Sequence, residues 1–118
     1  IASTITGSSV TRAGGGGGSV GNGATSYNND GGDGGGAKGS VGSNNATSAT
    51  INTGSGGGGG ASFVSGDASP GASGLVVLKY SNLARIIRTI DPGLTYTYSD
   101  SGGFRTYTFT SGSGTITF

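Results

Sequence analysis

The sequence predicts a mostly irregular and β chain. A glycine-rich array of packed, extended helices fills its front, and a small antiparallel β module closes it. Three observations carry this. Of the 118 residues 29 are Gly, and with 18 Ser and 15 Thr they make up more than half the chain. Residues 1–74 hold 24 of the Gly, whereas residues 75–118 hold 13 of the 21 Leu, Ile, Val and Phe. The glycines recur at steps of three, and the rear segment alternates apolar and polar residues at strand spacing.

The front, residues 1–74, reads as a glycine-rich body with loops. Ordering a residue costs about 1–2 kcal/mol, and Gly loses the most freedom of all. The eight large apolar side chains of this segment cannot offset that. The composition therefore fits either a flexible Gly/Ser linker or an ordered array in which nearly every amide finds a partner, in the same chain or in a neighbouring subunit. Spacing favours order. Gly15-Gly18-Gly21, Gly36-Gly39-Gly42, Gly54-Gly57-Gly60 and Gly71-Gly74 keep the period of the extended left-handed helix, about 3.1 Å per residue. With only two Pro and no sustained G-X-Y, collagen is rejected. Thr11-Arg12-Ala13 before Gly14–Gly18 is echoed by Thr53-Gly54-Ser55 before Gly56–Gly60, 42 positions later.

Between the glycine runs, residues 24–30, 43–53 and 61–70 bear real side chains and form loops at the ends of the packed helices. Loops on a rigid scaffold are where contact residues sit. Tyr27, Asn28, Asn29, Asp30, Asn44, Asn45 and Phe63 are the candidate receptor-binding residues. Aromatic faces with amide donors and acceptors suit sugars or a protein rim. The same residues would also serve to cap helix ends or pack between subunits.

The rear, residues 75–118, reads as a small β module. Leu75–Tyr80 is an apolar run of strand length. Leu94–Tyr98 alternates, 99–103 turns, Phe104–Thr110 sets Arg105, Tyr107 and Phe109 against Phe104, Thr106 and Thr108, and Thr115–Phe118 closes a meander. Thr and Tyr suit a pleated, half-buried surface. Tyr96, Tyr98, Tyr107 and Phe109 are the expected core. Leu83–Ile90, stopped before Pro92, is expected as a short helical turn or an irregular segment.

Chemistry is sparse. The chain has no Cys, His, Met, Trp or Glu. A thiolate or imidazole catalyst and the usual zinc or copper sites are thereby excluded, and no catalytic, cofactor or metal residues are assigned. Asn28-Asn29-Asp30-Gly31-Gly32-Asp33 fails the EF-hand order, because no Glu follows at the twelfth position; it reads as a solvated Asx turn. A net charge of +1 argues against nucleic-acid binding, and the longest apolar run, Leu75–Leu78, is far short of a membrane span of about 20 residues. The opening at Ile1 fits a processed or partial piece of a longer protein.

Ile5–Thr11 leading into Gly14–Gly18, then Gly74-Leu75-Val76-Val77-Leu78-Lys79-Tyr80, then Gly103–Phe118 with its Y-x-F-T-x-S-G-x-I-x-F ending, resembles the glycine-rich tail-fibre and adhesin domains of tailed bacteriophages. The resemblance implies a body of packed polyglycine-II-like helices, inter-helix loops that contact the host surface, no enzymatic activity and no cofactor. It implies a virion or extracellular location, and as partners a host surface glycan or outer-membrane protein and other fibre subunits, with the chain as a homo-oligomer. The family usually begins with an apolar strand before its first glycine run; here only Ala2-Ser3-Thr4-Ile5 stands in that place. The alternative from another class is a self-assembling fibre or capsid-decoration subunit that binds no receptor.

Overall fold

A computed structural model describes residues 1–21, 28–61 and 66–118. Among them there is no helix, and all regular structure is antiparallel β in small sheets. The chain divides into two compact units, residues 1–3 with 9–74, and residues 4–8 with 75–118.

The first unit opens with a two-stranded pairing of β1 (Ala2–Ser3) and β2 (Val10–Thr11). From there the backbone makes six passes, over residues 12–20, 28–33, 34–41, 44–50, 53–61 and 66–74. The bonds between passes give their directions. Gly17 N–H donates to Ala37 O at 2.8 Å, Ala37 N–H to Gly56 O at 3.1 Å, and Gly56 N–H to Gly14 O at 2.8 Å. Three residues on, Val20 donates to Ser40, Ser40 to Gly59 and Gly59 to Gly17. The first, third and fifth passes are therefore parallel and bonded around a closed ring, which climbs three residues per circuit. The even passes run the other way on the outside. Gly32 donates to Gly15 O and Gly39 to Asn29 O; Thr47 and Thr50 donate to Lys38 and Gly35; Ser69 and Ala72 donate to Gly58 and Ser55. Each of these last two pairs again steps by three.

Packing explains the composition. None of Gly14–Gly18 or Gly56–Gly60 has a left-handed φ, so they are not there for turns. A Cβ on Gly16 would lie 1.7 Å from Gly57 O, and one on Gly39 2.1 Å from Gly18 O. The backbones approach where a side chain has no room. Gly15 and Gly18, in the same run, would meet nothing within 4 Å. The buried side chains of this unit are small: Ala37, Ser40, Ala49, Ser55 and Asn29. Ser55 Oγ donates to Gly34 O at 2.7 Å and accepts from Gly14 N–H at 3.2 Å, pinning three passes at once. The repeat seen in sequence at an offset of 42 reappears as hydrogen-bond register, since Gly56 meets Gly14 and Gly59 meets Gly17.

In the second unit β3 (Val76–Ser81), β5 (Thr95–Ser101) and β6 (Phe104–Ser111) form a sheet in the order β3-β6-β5. β4 (Thr89–Ile90) pairs with β7 (Ile116–Thr117) in a second, two-stranded sheet. The expected meander is corrected here: β6 is central, and β7 leaves it to pair with β4. The expected turn at 99–103 shrinks to Gly102-Gly103, with φ of 58° and 82°. Two left-handed residues make the tight hairpin turn that suits strand twist, so β5 extends to Ser101. The segment before β4 is irregular, with Ile87 buried and Leu83 exposed.

Tyr107 is the centre of this unit and is 4% exposed. Its ring stacks on Tyr80 at 6.2 Å and tilts against Tyr98 at 4.7 Å and Tyr96 at 6.1 Å. Phe118 meets Tyr80 edge-on at 5.8 Å. Tyr96 and Tyr98, expected in the core, stay 41% and 47% exposed because β5 is an edge strand. Burial pushes the Tyr107 hydroxyl up from 10.0 to about 12, helped by the Tyr80 hydroxyl beside it.

Two outcomes follow. Gly16→Ala and Gly39→Ala should each cost about 1–3 kcal/mol or more, as overpacking does, and should strip hydrogen-exchange protection from residues 12–20, 34–41 and 53–61. Gly18→Ala should be neutral, or stabilising by up to about 1 kcal/mol through the unfolded chain. In an alkaline titration the Tyr107 tyrosinate absorbance should rise near pH 12. Tyr107 keeps its proton longer folded than unfolded, so its contribution to stability is complete below pH 10 and is lost as pH climbs towards 12. Stability of the second unit should fall across that window; a flat profile there would contradict this environment for Tyr107.

Candidate functional site

Because the first, third and fifth passes are parallel, they finish at the same end of the first unit. Val20 and Val41 form a parallel bridge, and Val41 turns back to pair with Asn44. Gly42 N–H reaches Val20 O, Ala46 N–H donates to Asp67 O, and Ala61 N–H to Gly66 O. The chain therefore reverses direction at this end after each odd pass, and the described parts of the three reversals converge there.

This end gathers residues that are distant in sequence. Asn28 is exposed, and its Oδ1 accepts from Asp30 N–H at 3.0 Å, the Asx turn expected for this stretch. Asp30 is exposed and pairs with Lys38 Nζ at 3.0 Å. Asn45 is exposed, with Oδ1 accepting from Asp67 N–H at 2.9 Å, which ties the reversal at 42–45 to the sixth pass. Asn44 is exposed, and its side-chain amide has no hydrogen bond among the described residues. A shallow hollow of about 350 Å³ is lined by Gly18, Ser19, Val20, Gly21, Asn28 and Asn29. Tyr27 and Phe63 lie outside the described residues.

Asn29 differs from the other candidates. It is 3% exposed, and its Nδ2 donates to Gly39 O while its own carbonyl accepts from Gly39 N–H. The side chain thus copies a peptide group and closes a two-bond clasp between the second and third passes. Its Oδ1 is buried with no hydrogen-bond partner among the described residues. Asn29 thus bonds one pass of the body to the next, whereas Asn28, Asn44 and Asn45 are exposed to solvent.

Sequence reasoning missed Asp67 and Lys38 as members of this end. Asp67 is brought in by main-chain bonds that link residues more than 20 positions apart, which no local pattern announces. Among the described residues no group of three or more His, Cys, Asp or Glu is placed to hold a metal ion, and no helix is long and apolar enough to cross a membrane. Compared with family models, curated proteins and solved structures, the chain has no match.

Removing one partner of a buried hydrogen bond costs about 1–3 kcal/mol. Asn29→Ala should therefore lower the stability of the first unit by that order and raise exchange at Gly39. Asn44→Ala should leave both unchanged. Thermal unfolding followed with hydrogen exchange separates the clasp from the exposed amide.

Proposed function

We propose that the chain is a non-catalytic surface-binding region of the tail-fibre and adhesin kind found in tailed bacteriophages. Its six passes are packed polyglycine-II-type helices, and its loop end contacts a host-cell receptor, a surface glycan or an outer-membrane protein. The supporting observation is the closed ring of amide bonds between the first, third and fifth passes, repeated every three residues. A three-residue repeat of bonds between, rather than within, extended segments is what left-handed extended helices make when glycine lets them touch. Such a body holds its shape with main-chain groups and leaves the reversals free to carry any polar side chains.

The location of the amides supports the same reading. Asn28, Asn44 and Asn45 are exposed at one end, on a scaffold fixed by bonds from every pass. Amides offer paired donors and acceptors to sugar hydroxyls or peptide groups. On this reading the chain acts outside the cell or on a virion, among other fibre subunits, and needs no cofactor.

The test uses the fluorescently labelled chain on a panel of Gram-negative cells. Wild type should adsorb to at least one strain, and Asn28→Ala/Asn44→Ala should lose most of that adsorption with its unfolding temperature unchanged. Equal adsorption by the double variant, or none by wild type to any strain, would remove the basis for this assignment.

A further inference from the structure

β5 is exposed at all seven positions from Thr95 to Ser101. It pairs with β6 along one side, and among the described residues no strand pairs with its other side, the edge of the sheet. Open edges are normally guarded by a charge, a proline or a mid-strand bulge. The opposite edge strand, β3, carries Lys79 at its middle. β5 has none of these between Tyr96 and Ser99; its irregularity sits at the Thr95/Tyr96 boundary, and its only charge is Asp100. Thr and Tyr are, besides, strong strand formers.

We propose that the β5 edge is an interface with a second copy of this chain, joined antiparallel strand to strand. The inference is independent of the receptor reading. Counting from the tight Gly102-Gly103 turn, Ser101, Ser99 and Thr97 direct their main-chain groups to β6. By the alternation of antiparallel pairing, Tyr96, Tyr98 and Asp100 direct theirs to the open edge. A two-fold axis through Thr97 sets Tyr96 opposite Tyr98 of the second copy, and Tyr98 opposite its Tyr96. These are the residues with free main-chain groups, so both pairs exchange hydrogen bonds.

The side chains fit the same register. Aromatic residues meet aromatic residues on one face, and on the other Thr97 meets Thr97 and Thr95 meets Ser99, pairings that favour strand association. Asp100 falls beyond its counterpart, so no two carboxylates oppose each other. The half-exposed rings of Tyr96 and Tyr98 then continue the aromatic strip of Tyr107 and Phe109 across the axis into the second copy. The strand is complementary to itself when reversed, which singles out a like chain as its occupant. One short edge makes a small, weak interface; it gains strength where copies are held together in an assembly.

The chain contains no cysteine, so Thr97→Cys supplies one thiol per copy at the axis. Opposed residues of a non-hydrogen-bonded pair have Cα atoms about 4.5 Å apart, within the range a disulfide spans. Mild oxidation should link Thr97→Cys into covalent dimers, at concentrations where Ser43→Cys, on an exposed reversal of the first unit, stays largely monomeric. Sedimentation of wild type should show the mass rising towards a dimer with concentration, and Thr97→Arg, which opposes two cations at the axis, should stay monomeric with unchanged unfolding. Wild type that sediments as a monomer throughout, or thiols at 97 that link no faster than those at 43, would overturn the proposal. So would a monomer whose Tyr96 and Tyr98 resonances shift on adding soluble dextran, which would give the face to a glycan.

Discussion

The approach of one backbone to another at glycine is the constraint on which the first unit depends. Around the ring of first, third and fifth passes every third amide donates to the next pass, and these bonds form only if the main chains come close. At Gly16 and Gly39 the approach leaves no volume for a methyl group. In most domains apolar side chains fill the space between layers and hydrogen bonds follow. Here the order is inverted: the space is removed, and the hydrogen bonds themselves occupy the interior. Each bond contributes about 0.5–1.5 kcal/mol net, so the unit holds together through their number and their cooperation. A buried polar atom left unpaired is correspondingly costly. Ser55 meets that cost with a hydroxyl that both donates and accepts, whereas Asn29 pairs its Nδ2 with Gly39 O and leaves Oδ1 without a partner among the described residues.

The second unit is organised on the opposite principle. Its sheet is held by an aromatic cluster around Tyr107, with Tyr80, Tyr96, Tyr98 and Phe109 in ring contact. Arg105 links this cluster to its surroundings, donating to Ala84 O at 2.8 Å and pairing with Asp100 at 3.5 Å. With only three strands, the sheet has a single central strand to bury, and both neighbours remain edges. Exposure of large side chains is therefore a property of the architecture, as at Val76 on β3 and Tyr98 on β5. A three-stranded module that exposes this much aromatic surface gains stability from anything that covers it.

Much of this was legible in the residues, for identifiable reasons. Strand alternation in Phe104–Thr110 placed Arg105, Tyr107 and Phe109 on one face, because side-chain direction in a strand depends only on local geometry. The three-residue glycine step announced close packing of extended chain: Gly36 and Gly39 point at Gly15 and Gly18. Strand order was not legible. Nothing near Thr115–Phe118 says that Ile116 will pair with Ile90 instead of lying beside β6. The length of β5 was misjudged because Ser99, Asp100 and Ser101 are turn formers by composition, whereas the left-handed pair Gly102-Gly103 takes the whole turn by itself. The burial of Asn29 was equally hidden, since an exposed and a buried asparagine look alike until the neighbouring pass supplies Gly39.

A body built from amides separates stability from surface identity. Where the passes touch, the sequence is constrained to small residues by distance, and at Gly16 a Cβ would lie 1.7 Å from Gly57 O. At the reversal over 42–45 the constraint falls away: Asn44 contributes no side-chain hydrogen bond to the described residues, and Asn45 contributes one, to a main-chain amide that water could satisfy instead. Substitutions there cost the fold little, so a surface at that end can be remade without rebuilding what supports it. On the proposed reading this is the physical reason for spending so much of a chain on glycine: the scaffold asks almost nothing of the residues that meet the partner.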